Sequence, residues 1–398
     1  MGRFIDIHAI QAVGPACLNR DEANLPKTVV YGGVERVRVS SQCWKRAIRL
    51  DFAEADREGG SIRTKRLPRM LADRMLAGRD PADADLARAA LALGAHITAD
   101  GGKTDHMFGL ALDKQKKTAK GDADAGAEPR NATLFLVGRA ALDRAAAIAA
   151  PILDDPAAVR TLSADLDALA DGKPMRFKIP KETMKAIRAA IKDDPSRDVQ
   201  LFGRMAADDD GLTVDGCLQV AHAIGVAPLD MGFDFYAGVD DRNPSGAAML
   251  GDIAYADTTV YRYATLDVGE LEGRVGRDEA ARMARELVES FLTVVPDARQ
   301  HSFAARTLPA LAMVEAVDRP QSRVAAYARP VEGDPVSGAV RALERLDHNQ
   351  KAAWGLTPHA RWTINASGVD APRLGETVDL DTMLDGVTAA VTGDVWAD

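Results

Sequence analysis

Six cations lie between Lys27 and Arg49: Lys27, Arg36, Arg38, Lys45, Arg46 and Arg49. Only Glu35 opposes them, so this stretch carries a formal charge of about +5 in a chain whose net charge is -9. Ser40, Ser41 and Gln42 sit among them. Cations mixed with short hydroxyl and amide donors suit a polyanion, because they bind phosphates without reading a base sequence. Other residues with chemical potential are sparser. Asp21, beside Arg20, is a lone loop carboxylate with no His, Lys or metal partner spaced to complete an acid/base pair. Asp208-Asp209-Asp210-Gly211 reads as an acidic turn, since consecutive acids do not converge and no further ligand follows at loop spacing. Cys17, Cys43 and Cys217 are too widely spaced for a disulfide framework or a zinc site. No catalytic residue, metal ligand or cofactor motif is assigned.

The elements that must position the cations follow from periodicity. Phe4 to Ile10 alternates around Asp6 and His8 and reads as a strand, with His8 a hydrogen-bonded strand residue rather than a catalyst. Gly32-Gly33 between β-branched runs signals a hairpin turn. Beyond it, Arg36, Arg38 and Ser40 are expected on one face, with Val37 and Val39 on the other. Ser40 or Ser41 supplies a helix N-cap. In the helix after that cap, Gln42, Lys45 and Arg49 share one side, and Trp44, Ala47 and Ile48 the opposite, core-facing side.

From about Asp51 to Asp194 the composition turns to Ala, Leu, Arg and Asp, and helices are expected over 68–78, 83–94, 140–152 and 156–170. Residues 113–130 are polar and read as a mobile loop whose lysines 114, 116, 117 and 120 are solvated. Asp198 to Met205 reads as a strand, and Val214 to Val226 as a helix containing His222. Pro228 to Asp252 sets Met231, Phe233, Phe235 and Tyr236 among glycines and acids, the pattern of a protruding hairpin that cannot bury its own apolar residues. A strand over 258–268, a helix over 277–294 and a strand over 309–317 follow, then a helix near 340–354, a strand near 360–366 and a last helix near 380–391. The order β-α-β-β-α-β with insertions is that of the ferredoxin-like split unit shared with RNA recognition motifs, although the usual aromatic run for base stacking is missing.

A hydrophobic content of 46% suffices for a packed core. The N-terminal run MGRFIDIHAI has no secretory apolar region, and no apolar stretch approaches a membrane span. The expectation is a soluble, cytoplasmic protein.

These residues also carry a family resemblance. Cys17-Leu18-Asn19-Arg20-Asp21, Lys27, Gly32-Gly33, the run Arg36 to Gln42 and Lys45-Arg46 resemble the CasC-type backbone subunits of type I-E CRISPR Cascade, the RNA-guided surveillance complex. Gly203-Arg204-Met205, Val214-Asp215-Gly216, Ala221-His222-Ala223-Ile224, Val239-Asp240-Asp241, Tyr261-Arg262-Tyr263, Val295-Pro296 and Arg299-Gln300 agree. The likeness is strong over 1–52 and 198–316 and weak elsewhere. It implies an α+β fold: a palm resembling an RNA recognition motif, with a large helical fingers insertion and a β-hairpin thumb. The corresponding segments are palm 1–52, fingers 53–195, palm 196–227, thumb 228–254, and palm with flanking elements 255–398. It further implies a non-catalytic subunit that polymerises along crRNA, kinks it at regular intervals and presents it to target DNA. Implied partners are further copies of itself, the crRNA 5′-end cap subunit, the crRNA-processing endonuclease, the large and small subunits, and indirectly a helicase-nuclease. Carried over as RNA contacts are Lys27, Ser40, Gln42, Lys45 and Arg49, with Asn19 and Arg20 bracing the loop. Met205 wedges beside the kinked nucleotide, and the thumb supplies Phe235, Tyr236, Val239 and Leu250. Tyr236 stands where a phenylalanine is usual, with Ala237 beside it. The alternative is an endoribonuclease like the backbone subunits of type III systems, using Asp21.

Overall fold

A computed structural model describes residues 2–55, 60–80, 82–99, 110–112, 128–206, 210–239, 242, 247–393 and 395–396. They form two compact units, Met1–Phe52 with Cys217–Asp398, and Ala53–Gly216. The first begins with strand β1 (Phe4–Ala16), the hairpin strands β2 (Thr28–Tyr31) and β3 (Val34–Val39), and helix α1 (Ser41–Ala55). Gly32 and Gly33 both have positive φ, 66° and 83°. That is the pair of left-handed residues a two-residue hairpin turn requires.

The second unit is helical with small ribbons: β4 (Ser61–Thr64), α2 (Leu67–Met75), α3 (Ala84–Ala99), β5 (Leu110–Leu112), β6 (Pro129–Asn131), β7 (Phe135–Gly138), α4 (Arg139–Ala149), α5 (Pro156–Ala170), α6 (Lys181–Lys192) and α7 (Arg197–Phe202). Leu71, Leu93, Phe135, Leu142, Leu162 and Ile191 share its core, which also takes in Ala206 and Leu212. The expected helices over 68–78, 83–94, 140–152 and 156–170 are present. The expected strand over 198–205 is not, because Asp198 lies in the first turn of the short helix α7 and its carboxylate accepts the Ser61 amide at 3.1 Å. Short apolar runs fit either period, and here buried polar bonding decides. Arg204 is fully buried against Asp194 at 3.2 Å. These bonds place residues 196–216, given to the palm from sequence, in the helical unit. Lysines 114, 116, 117 and 120 lie outside the described residues, as do Asp208, Asp209 and residues 243–246.

The chain returns to the first unit with β8 (Leu218–Val220) and β9 (Ala223–Gly225). These replace the helix expected over 214–226. Leu218 pairs with Leu266, Ile224 with Tyr261, and Arg38 with Ile224, so sheet pairing on two sides overrides the helical pattern. Gly225 suits the tight fit, since a Cβ there would meet the Thr258 hydroxyl at 2.9 Å. Then come β10 (Asp230–Val239), β11 (Ala247–Asp267), α8 (Val268–Val275), α9 (Arg277–Thr293), α10 (Gln300–Phe303), β12 (Leu311–Val317), α11 (Pro335–Trp354), β13 (Ala360–Asn365) and α12 (Leu380–Thr392).

The sheet runs β13-β12-β1-β11-β9-β3-β2, with β8 also on β11 and β10 pairing β11 beyond the sheet proper. Phe4 faces Asp267 on one side and Val317 on the other, so β1 is central and Ile5 to Gln11 are all buried. His8 is buried, with Nδ1 2.8 Å from the Tyr261 hydroxyl, as expected of a bonded strand histidine. Helix α11 covers Ile10, Tyr261 and Met313 with Val340 and Leu343. Its Asp347 shares the Arg361 guanidinium with Glu315, both at hydrogen-bond distance, which ties α11, β12 and β13 together. Those guanidinium bonds hold the Asp347 carboxyl below the usual range although burial opposes them.

Candidate nucleic-acid interface

The loop before β2 is stitched to the hairpin and to the start of α1. Lys27 N donates to Asn19 O (2.8 Å) and Arg38 N to Lys27 O (2.8 Å). The Asn19 side-chain oxygen accepts the Ser40 amide at 2.9 Å, and the Ser40 hydroxyl accepts the Cys43 amide at 3.3 Å. Ser40 is therefore the N-cap of α1, buried at the junction. Asn19 braces that junction, and Arg20, exposed, donates to Asn24 at 3.2 Å. The Asp21 carboxylate accepts the Ala23 and Leu25 amides at 2.8 and 2.9 Å, which closes the loop on itself.

Helix α1 is seated by its apolar side. Trp44 and Ile48 are fully buried. Beneath Trp44 lies the fully buried Arg262, its guanidinium 3.7 Å from the indole and 4.3 Å from the Phe291 ring. It donates to Gln11 at 2.6 Å and to the Phe291 carbonyl, and burial pulls its pKa down to about 9. On the other side Gln42 and Arg46 are exposed, while Lys45 and Arg49 are half-buried. Lys45 Nζ donates to Leu218 O at 3.2 Å, and burial lowers its pKa.

Arg36 departs from expectation. Instead of facing out with Arg38, it is fully buried and donates to the Gly225 and Val226 carbonyls, each at 3.2 Å, with the Tyr31 ring 5.3 Å away. Alternation alone placed it outside, but β9 and the segment after it cover that face. Arg38, half-buried, donates to Thr28 O at 3.3 Å. The cationic surface is thus smaller than the sequence count.

The ribbon of β10 and β11 carries the apolar candidates. Register puts Phe233, Phe235 and Leu250 on one face, and Tyr236 with Met249 on the other. Phe235 is 64% exposed and Leu250 61%. Tyr236 instead lies over Gly251, where a Cβ would meet its hydroxyl at 2.5 Å. Phe235 and Tyr236, paired in the sequence reading, therefore point to opposite sides. Val239 pairs with Ala247 through the backbone, and its side chain lies outside the described residues. Met205, 82% exposed, belongs to the helical unit.

Sequence reasoning missed His222. It is exposed between β8 and β9, and its Nδ1 accepts the Ser41 amide at 3.1 Å. Burial first, then the charges of Arg38 and Lys27, hold its pKa below the usual imidazole range. The signal was the polar His222 between two short triplets, Leu218–Val220 and Ala223–Gly225, hidden by the helical reading. Among the described residues no cluster of three His, Cys, Asp or Glu could hold a metal, the three cysteines are free, and no helix is long and apolar enough to cross a membrane.

Known proteins are similar to this chain in sequence and in fold. The profile of the CT1975-like protein family matches residues 5–388. A chain of a solved CRISPR RNA-guided surveillance complex, pre-nicking, is similar at 28% identity and a TM-score of 0.77, over 96% of this chain and 100% of that one. A chain of another CRISPR RNA-guided surveillance complex is similar at 28% identity and a TM-score of 0.69, over 96% and 99%. No curated protein sequence matches.

Proposed function

The chain belongs to the CT1975-like protein family, and from that premise we propose that it is the CasC-type, non-catalytic backbone subunit of a type I-E CRISPR Cascade. Copies polymerise head-to-tail along crRNA. Each holds the sugar–phosphate chain at the loop, hairpin and α1, and the ribbon of one copy reaches the RNA beside its neighbour and kinks it. The unkinked segments stay free for pairing with target DNA, so sequence specificity belongs to the RNA. The other Cascade subunits cap, process and flank this filament, and a helicase-nuclease is recruited indirectly.

The order β12-β1-β11 with β8 and β9 beyond, joined by α1 and α9 in the sequence β-α-β-β-α-β, supports a palm like that of RNA recognition motifs. The helical unit takes the part of the fingers, with Met205 as the wedge. The ribbon takes the part of the thumb.

One observation carries the reading. Phe233, Phe235 and Leu250 stand exposed on one face of a ribbon whose β10, among the described residues, pairs only with β11. A two-stranded ribbon does not keep such a row in water without a partner outside the chain. Bases and a neighbouring copy both fit it, since base stacking on apolar side chains tolerates any sequence. The endoribonuclease alternative is disfavoured by the two loop amides that the Asp21 carboxylate accepts. Incubation of the assembled complex with complementary RNA, with and without Asp21→Ala, separates the two readings: regular cleavage means a nuclease.

The direct test is Lys45→Ala with Arg49→Ala. Guide retention falls, and the salt dependence of RNA binding flattens by about 0.7 in log–log slope for each phosphate that is no longer neutralised. An unchanged slope in a filter-binding titration overturns the assignment.

A further inference from the structure

Three non-glycine residues among those described have positive φ: Asn24 (64°), Arg299 (55°) and Ala304 (48°). A left-handed conformation is unfavourable for a residue with a Cβ, and it persists only where the surroundings impose it. Asn24 lies in the loop of Arg20 and Lys27. The other two flank α10 in the segment joining α9 to β12. That segment and the loop before β2 rest on one apolar cluster, in which Val295 and Ala305 pack with Leu18 and Trp44.

The segment is held from within and from outside. Gln300 is buried, and its amide nitrogen donates to Pro296 O at 3.0 Å and Ala305 O at 3.4 Å. Gln11 donates to Thr307 O at 2.6 Å. The Phe303 ring lies 5.9 Å from that of Tyr255, on the ribbon strand β11. Arg306 faces Asp297 at 3.5 Å, so that acid has its cation. Arg299 has no such partner: its Nε is buried and finds no hydrogen-bond acceptor among the described residues. The Arg299 and Arg20 charges both act on the buried Cys17 thiol, opposing the rise that burial first and then the Asp21 charge impose. The two guanidiniums therefore serve one neighbourhood.

A buried guanidinium donor is seldom left unmatched, and the planar fork of arginine fits a phosphate with two parallel bonds. We infer that Arg299 is a phosphate-binding residue, fixed in a strained turn so that with Arg20 it takes a phosphodiester group of the bound RNA strand. The inference rests on the RNA-binding reading above and adds a contact from a different segment of the chain.

Glycine and asparagine both tolerate left-handed backbone. Arg299→Gly and Arg299→Asn therefore remove the guanidinium while relieving the strain. The full-length protein is titrated with a fluorescein-labelled single-stranded uridine oligomer over a salt series, and its thermal unfolding is followed in parallel. Both variants are expected to melt no lower than the parent, to bind several-fold more weakly at low salt, and to lose about 0.7 from the log–log salt slope. A parental slope and affinity overturn the inference, as does weaker binding accompanied by a lower melting temperature, which marks Arg299 as structural. Lys45→Ala with Arg49→Ala is run alongside. If that variant loses slope and Arg299→Gly does not, only the Arg299 contact fails; if neither loses slope, the RNA-binding reading fails with it.

Discussion

The ribbon of β10 and β11 and the loop, hairpin and helix of residues 19–49 present opposite situations within one unit. On the ribbon, large apolar side chains are exposed. Along residues 19–49, most polar groups are already bonded: Asn19 to Ser40, Ser40 to Cys43, Arg36 to two carbonyls, Arg38 to Thr28 and Lys45 to Leu218. Exposed apolar surface on a ribbon is itself a sign of a partner. A basic residue is not, because long cationic side chains also serve as internal struts. Of the cations counted in the sequence, the Lys27 and Arg46 side chains make no hydrogen bond or ion pair among the described residues, whereas Arg36 belongs to the scaffold.

The sharpest break in that comparison comes from Arg36→Ala. It takes a donor from the Gly225 and Val226 carbonyls, the second still accepting the Val331 amide at 2.9 Å, and empties the space beside Tyr31, a loss of about 2–4 kcal/mol. All four tryptophans lie in the first unit, at 44, 354, 362 and 396. Urea unfolding followed by their fluorescence therefore reads that unit alone, and an unmoved midpoint would return Arg36 to the surface. Phe235→Ala with Tyr236→Ala makes the contrasting case. Both side chains stand on the bare ribbon, so stability shifts by less than about 0.5 kcal/mol. Loss of an apolar wedge still costs RNA binding roughly 1–3 kcal/mol per base. Nuclease protection of bound RNA should change from periodic to even; a pattern that stays periodic removes the ribbon from the RNA. Because the two side chains point to opposite faces, single variants divide the effect, with Phe235→Ala the larger.

A smaller effect separates the cations. Lys27→Ala removes an amine with no acceptor among the described residues and should lower the salt slope by about 0.7. Lys45→Ala removes one already donating to Leu218 O and should lower it less. Equal decreases would mean that the Leu218 bond opens when RNA binds.

Much of this arrangement was legible in the sequence. The Gly-Gly turn, the capping serine and the apolar side of α1 follow from local chemistry, and the ribbon announced itself by aromatics among glycines. The hidden features depended on covering chain from far away. Strand alternation put Arg36 beside Arg38, yet the face it occupies is closed by residues 225 and 226. Residues 198–226 were read with helix and strand interchanged, since Asp198 is fixed by Ser61 and the strands β8 and β9 by partners some 40 residues on in β11. Periodicity in a window cannot see such partners. His222 was lost with that misreading.

His222 gives the finest distinction between scaffold and surface. Its folded pKa lies below the usual value of about 6.5, through burial first and then Arg38 and Lys27. The unfolded chain therefore takes up its proton first as pH falls. The contribution is fully present above about pH 6.5 and is lost as pH drops toward the folded value. Asparagine keeps an acceptor near the Ser41 amide without titrating, so His222→Asn should show a shallower fall in first-unit stability between about pH 7 and pH 5. The difference is small because His222 is exposed. Phosphates bound beside Lys27 and Arg38 would cancel the charges that depress the imidazole, so RNA should shrink the difference between parent and variant further. If RNA leaves that difference unchanged, the phosphate path does not pass His222, and the histidine is only a fastening for the start of α1.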